Sequence, residues 1–368
     1  MSEVWLRMER QVEVIEKPPY SVPLMNEIEE IPLTGFKAVS TFSGCGGSCL
    51  GYRMAGFEVL WASEFVEAAR NVYELNHPGV ILDPRDIREV TPQDILDTIG
   101  LEEGELDLLD GSPPCAAFST AGKREGGWGE VKKYSDTEQR VDDLFFEFAR
   151  ILRGLRPKTF VAENVTGLVK GVAKGYFKAI FKELKDCGYD VAAKVLDAQW
   201  LGVPQTRQRL IFVGVREDLK KIPAHPGPLP YRYTIGEALE TLEQTANDKA
   251  FSKSLNPDTE TYRFWSMVAP GRQLSEACER LTGKNSFITH VKLSPSKPSN
   301  TILQANAQVY HWAEARTPSI KELKRICAFP DDFKLVGSFE EQWERLGRAV
   351  PPVMMMHVAA TIRDEVLT

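Results

Sequence analysis

At 368 residues, with 43% apolar and 26% charged side chains, the chain has ordinary globular composition and length for one large α/β domain carrying a smaller one. A net charge of -7 excludes a uniformly basic nucleic-acid coat but not a local basic cleft, because the field depends on where charges sit rather than on their sum. Six scattered cysteines without a Cys-x-x-Cys pair, and only five histidines, argue for reduced thiols over a zinc site or a disulfide framework; with neither a membrane-length apolar run nor a secretory leader in view, a cytoplasmic location is expected.

Residues 1–35, polar and acidic around "KPPY", read as an N-terminal arm. From "KAVSTF" onward, strands and helices alternate. "FEVLWAS", "VILD", "LDLLD", "TFVAE" and "RLIFVGV" supply strands, and "VEAARNVYELN", "DDLFFEFARILRGL" and "YFKAIFKELKDCG" supply amphipathic helices. This pattern predicts an α/β fold with a doubly wound, mostly parallel sheet over residues 36–220. A Pro-, Thr- and polar-rich stretch follows, read as a separate small domain at 221–296. Residues 297–368 return to helical periodicity in "SIKELKRICAFPDDF" and "PPVMMMHVAATIRDEVL", expected to pack back on the first domain.

Three places carry chemistry. In "LDLLDGSPPC", Cys115 follows two prolines on a stiff turn at a strand's carboxyl end, the edge where ligands bind in open α/β sheets. Gly44, Gly46 and Gly47 follow the first strand, where glycine lets the backbone approach a ligand; Cys49 stands where the third glycine of a dinucleotide turn belongs. Glu64 ends the second strand and Asp86 follows the third. Singly, each acid reads as a solvated loop carboxylate; together they suit the ribose hydroxyls and the adenine amino group of an adenosyl ligand.

"FSGCGG", "GSPPCAAFS", "AENV", "QTRQR" and "GRAVPP" resemble, in order and spacing, the motifs of the DNA (cytosine-5)-methyltransferase family, bacterial or phage type, across roughly residues 37–215 and 297–366. The resemblance implies a Rossmann-like S-adenosylmethionine-dependent methyltransferase acting on double-stranded DNA, with a target-recognition domain at 221–296 and a flipped cytosine as substrate. Cys115 is then the nucleophile at carbon 6. Glu163 serves nitrogen 3, held protonated by a dry site, and Arg209 donates to oxygen 2. Asn164, Gln205 and Arg207 become scaffolding. The cofactor falls to Phe42, Ser43, Gly44, Gly46, Glu64, Phe65, Asp86, Ile87, Pro114, Leu144, Arg348 and Ala349, with Phe65 stacked on adenine and residues 345–353 closing the methionine side. No metal is expected. Residues 121–140, with Lys123, Arg124, Lys132 and Lys133 among glycines, read as a loop closing over DNA. Arg232, Arg263, Arg272, Lys284 and Lys292 supply cations for phosphate and guanine contacts. A monomer is expected, and a restriction endonuclease is a partner the resemblance allows.

Two departures from the motifs stand out: Ala116 in place of the usual glutamine, and Arg348 in place of the usual asparagine. An arginine facing a sulfonium sets like charges together, which opens an alternative donor, carboxy-S-adenosylmethionine, whose extra carboxylate a guanidinium grips; the plainer reading turns Arg348 outward to Glu344 or to phosphate. A tRNA cytosine-5 methyltransferase and a catalytically silent nucleic-acid-binding protein are the remaining alternatives.

Overall fold

The strand runs are apolar at successive positions, and in the computed structural model, which describes residues 16–114, 132–134, 137–139, 144–169, 174–304 and 308–368, both faces of the central strands are buried. In chain order the strands are β1 (Lys37–Thr41), β2 (Glu58–Ser63), β3 (Ile81–Asp83), β4 (Leu108–Gly111), a separate antiparallel pair β5 (Lys132–Tyr134) and β6 (Thr137–Gln139), then β7 (Thr159–Val165), β8 (Tyr189–Asp197) and β9 (Gln208–Arg216). Seven of them form one sheet in the order β3-β2-β1-β4-β7-β9-β8. The pairings from β3 to β7 are parallel, and β9 runs antiparallel to both its neighbours. This is the mostly parallel sheet expected. Strand β8 escaped the sequence reading because it lies at the sheet's edge, where its mixed, half-exposed residues lack an apolar run.

The period of two sends side chains to two layers. Ala38, Leu108, Val161, Ile211 and Val213 join one core with α2 (Gly47–Met54), the second helix after α1 (Met25–Glu30). Tyr73 of α3 (Glu67–Asn76) belongs to the same core. Val39, Leu109, Phe160, Ala162, Leu210 and Phe212 join another, with α4 (Pro92–Ile99), α5 (Leu144–Leu155) and α6 (Lys174–Asp186). Each fully buried Phe or Leu contributes about 1.5–3 kcal/mol. Helix α4 begins in a reciprocal cap: Thr91 Oγ1 accepts from the Asp94 amide and Asp94 Oδ2 from the Thr91 amide, both at 3.1 Å, with Pro92 at the first turn and Gly100 ending it.

The remaining elements are α7 (Ile235–Leu239), α8 (Ala246–Ala250), α9 (Glu260–Met267), α10 (Ser275–Thr282), β10 (Val291–Lys292), β11 (Val309–Tyr310), α11 (Ile320–Ile326), α12 (Phe339–Arg348) and α13 (Pro352–Ile362). Phe264, Trp265, Leu274, Ala277 and Tyr310 make a small core of their own, and β10 pairs β11 across the boundary expected at 297. Helix α13 packs on α2, and two α2 glycines permit it: a Cβ on Gly47 would stand 2.3 Å from Val350 O, and one on Gly51 2.6 Å from Pro352 O. No described helix is long and apolar enough to cross a membrane.

Candidate active site

The parallel strands β1 to β4 and β7 end at one edge of the sheet, and antiparallel β9 begins there. At β1 the order reverses, with β2 on one side and β4 on the other, so the crossovers leave a crevice. A cavity of about 490 Å³ occupies it. Of the residues anticipated from the motifs, Phe42, Ser43, Gly44, Glu64, Phe65, Asp86, Ile87, Pro114, Leu144, Glu163, Arg209, Arg348 and Ala349 all line it. Gly46 is not among the lining residues. It starts α2 at φ 89°, and a Cβ there would stand 2.1 Å from His77 Nε2, so glycine is required by conformation and by close packing. Cys115 and Ala116 lie outside the described residues, as does most of 121–140.

The turn after β1 holds Phe42 at φ 55°, a left-handed conformation unusual for a bulky residue. A Cβ on Gly44 would meet nothing within 4 Å, so a side chain there would project into the cavity. Glu64 is tied to this turn: Oε2 accepts from the Gly44 amide and Oε1 from the Val66 amide, both at 2.8 Å. Burial pushes its carboxyl above the usual range against the pull of those two amides. Phe65 is 38% exposed at the cavity, open to a stacking partner. Asp86 accepts from the Arg88 amide at 3.0 Å and pairs with its guanidinium at 2.9 Å. Gly47 and Ser48, in the first turn of α2, also face the cavity, a helix start that favours anions.

Glu163 and Arg209 form an ion pair, Nε to Oε1 at 2.7 Å, with both side chains mostly buried. Register explains it: Glu163 stands opposite Ile211 and Val165 opposite Arg209, so the two side chains meet on the diagonal of one face. Glu163, expected in a dry site, thus has the Arg209 guanidinium as its immediate neighbour. Arg207 is buried behind them, its Nη1 donating to Ile302 O and Nη2 to Gly347 O and Arg348 O at 3.0–3.3 Å; burial lowers its pKa to about 9. Gln205 accepts from the Ile302 amide at 3.2 Å, and Asn164 donates to Pro113 O at 3.3 Å. These three brace the cavity wall.

Arg348 Nε donates to Glu344 Oε1 at 2.7 Å, the carboxylate named as its alternative partner, while the residue also lines the cavity. Lys292 corrects another expectation. Only 8% exposed, it donates to Trp265 O and Val268 O at the end of α9 and lies 4.1 Å from the Trp265 ring, which buries it as a helix cap rather than a phosphate contact. Arg272 pairs with Glu276, Arg232 stacks on Trp200 at 4.5 Å, and Arg263 and Lys284 are exposed.

The sequence reading missed part of the wall. Thr301, Leu303, Gln304 and Gln308 line the cavity, and Gln308 Oε1 is buried without a hydrogen-bond partner. They are held there by Trp343, whose Nε1 donates to Leu303 O at 2.9 Å, and by Gly347, where a Cβ would stand 2.5 Å from the same oxygen. Only the repeated glutamines of "ILQANAQ" hint at it locally.

A doubly wound sheet thus gathers a glycine turn, a strand-end glutamate and a buried carboxylate–guanidinium pair around one crevice at the strands' ends, the architecture of an α/β protein with a polar cleft. The comparisons sharpen this. The profile described as C-5 cytosine-specific DNA methylase matches residues 36–364, and the chain belongs to that family. It is 33% identical over 342 residues to the type II methyltransferase M.NgoFVII of Neisseria gonorrhoeae, covering 89% of this chain and 86% of that one. It is 29% identical over 347 residues to M.NgoPII of the same organism, covering 89% and 95%. In fold it is similar to a crystal structure described as a DNA modification methyltransferase encoded within an Escherichia coli prophage, with a TM-score of 0.70 at 19% identity, covering 91% of this chain and all of that one. The chain is therefore a DNA (cytosine-5)-methyltransferase, a family that uses S-adenosylmethionine.

Proposed function

We propose that the cavity holds S-adenosylmethionine beside a cytosine flipped out of double-stranded DNA, with Cys115, Glu163 and Arg209 as the catalytic residues. One observation carries the assignment: a carboxyl group and a guanidinium sit 2.7 Å apart on the cavity wall, the spacing that nitrogen 3 and oxygen 2 of a pyrimidine, on neighbouring ring positions, can each engage. In this reading the Cys115 thiolate adds to carbon 6, Glu163 carries the proton it shares with nitrogen 3 and Arg209 donates to oxygen 2, so charge spreading over the ring meets groups already in place. S-adenosylmethionine, when bound, supplies the electrophilic methyl that carbon 5 takes. The carbon 5 proton then passes to water and Cys115 leaves as thiolate, which restores the aromatic ring.

The residues present suit the cofactor. Glu64, fixed by two amides, offers its outer lone pairs to ribose hydroxyls; Asp86 and Phe65 offer an acceptor and a ring face to adenine; the first turn of α2 offers amides to the methionine carboxylate. Glu344 already pairs with Arg348, which removes the reason for a donor bearing a further carboxylate, so methyl is the group transferred. Residues 221–296 read the target, exposed Arg263 and Lys284 meeting phosphates. The type II names of the relatives support a cytoplasmic modification enzyme paired with a restriction endonuclease.

Duplex DNA carrying 5-fluorocytosine tests the assignment, because fluorine at carbon 5 cannot leave as a proton and the adduct persists. Wild-type protein with cofactor should form a denaturant-resistant complex, and Cys115→Ser should form none. A persistent complex with Cys115→Ser, or one formed with tRNA and not with DNA, overturns it.

A further inference from the structure

Beneath the glycine turn lies a buried polar cluster that this chemistry does not use. Asp110, in β4, is 1% exposed, and its carboxylate accepts from Tyr52 OH of α2 and from Ser40 Oγ of β1, both at 2.8 Å. Ser40 stands opposite Asp110 in the β1–β4 register. Ser43 Oγ in turn donates to Ser40 O at 3.1 Å and Ser40 Oγ at 3.0 Å, and Ser43 lines the cavity. A hydroxyl chain thus runs from the cavity wall to the carboxylate with its protons pointing inward, which turns the Ser43 lone pairs the other way.

A carboxylate is a costly occupant of such a place unless it does something. The titratable groups within its reach are Tyr52 and Cys49 of α2, Tyr73 of α3 and Glu163 of β7, and none is a cation. We propose that Asp110 is a positioning residue for the cofactor: acting through Ser40, it makes Ser43 Oγ an acceptor for the ammonium group of bound S-adenosylmethionine. This rests on the cofactor reading above.

The chain's polarity depends on one proton. Burial raises the Asp110 carboxyl to about 7, the Tyr52 and Ser40 hydrogen bonds opposing and the Glu163 charge adding to the rise. Protonated, the carboxyl becomes a donor. Ser40 is then released to donate to Ser43, whose own proton stays on Ser40 O, so a Ser43 lone pair is taken up and its acceptance from the ammonium weakens.

Calorimetric titration with two nucleosides tests this: S-adenosylhomocysteine, which carries the ammonium, and 5′-deoxy-5′-methylthioadenosine, which shares the nucleoside and lacks the amino acid. Wild-type affinity for the first should rise about tenfold between about pH 6 and pH 8, the size of one hydrogen bond to a charged group, and affinity for the second should stay level. Titration of Glu64, which faces the shared ribose, would move both probes together. Asp110→Asn and Ser40→Ala should lose the rise, and Ser40→Thr, which restores the hydroxyl, should keep it. Unchanged binding of methylthioadenosine certifies that each variant's pocket is folded. A rise that survives in both Asp110→Asn and Ser40→Ala, or that is equal for the two probes, overturns the inference. Wild-type protein that binds neither probe overturns the cofactor reading itself.

Discussion

Replacing Gly51 by alanine puts the packing of α13 on α2 to the test. The new Cβ would stand 2.6 Å from Met355 Cβ, 2.6 Å from Pro352 O and 2.9 Å from Met356 N. Two of these are backbone atoms and the third is fixed to backbone, so no rotamer change relieves the clash. Carbon contacts relax near 3.5–4.0 Å, which requires α13 to retreat by about 1 Å. Forced separation of this kind costs about 1–3 kcal/mol, while alanine returns up to about 1 kcal/mol of helix propensity. The expected net is a loss of about 1–2 kcal/mol, or a thermal midpoint lower by several degrees. Gly175 in α6 is the control, because a Cβ there meets nothing within 4 Å and only the propensity gain remains. Urea unfolding and thermal melts should give opposite signs for Gly51→Ala and Gly175→Ala. Equal stability of Gly51→Ala and the wild type would refute the close-packing argument.

Glu163→Gln should lower methyl transfer about a hundredfold with the protein still folded, the scale of one lost proton-transfer partner, as read by tritiated methyl incorporation. Arg348→Asn should leave the product as 5-methylcytosine when S-adenosylmethionine and its carboxy analogue compete, as weighed by mass spectrometry of released nucleosides. Glu322→Gln should destabilise by about 3 kcal/mol, because it strips the buried Arg316 of a two-point partner at 2.7 and 2.8 Å. Burial alone raises the Glu322 carboxyl, but the Arg316 hydrogen bonds and charge outweigh it and the net displacement is downward. Its stabilisation is therefore present above the ordinary glutamate value and lost as pH falls through the lowered one, so the gap between wild type and Glu322→Gln in unfolding free energy should close on acidification.

Much of the molecule was legible in the chain itself, and for a local reason. Burial on two faces of a parallel sheet writes apolar runs into each strand, and the turn after β1 needs glycine at Gly46 whatever else surrounds it, so strands β1 to β4, β7 and β9 and the glycine turn could be placed from neighbouring residues alone. Glu64 and Asp86 followed as strand-end acids. Edge strand β8 and helix α4 were missed, the first because one exposed face erases the run, the second although its Thr-Pro-x-Asp start was in view. What no local pattern carries is which distant segments meet. The pairing of Glu163 with Arg209 depends on the antiparallel register of β7 and β9. The burial of Lys292 depends on carbonyls and a ring supplied by α9. Thr301, Leu303 and Gln304 reach the cavity because α12 holds them there by Trp343 and Gly347. Periodicity reports whether a residue is buried, since that is decided by its own element's face. What it is buried against is decided by the return of the chain, and that only the tertiary structure settled.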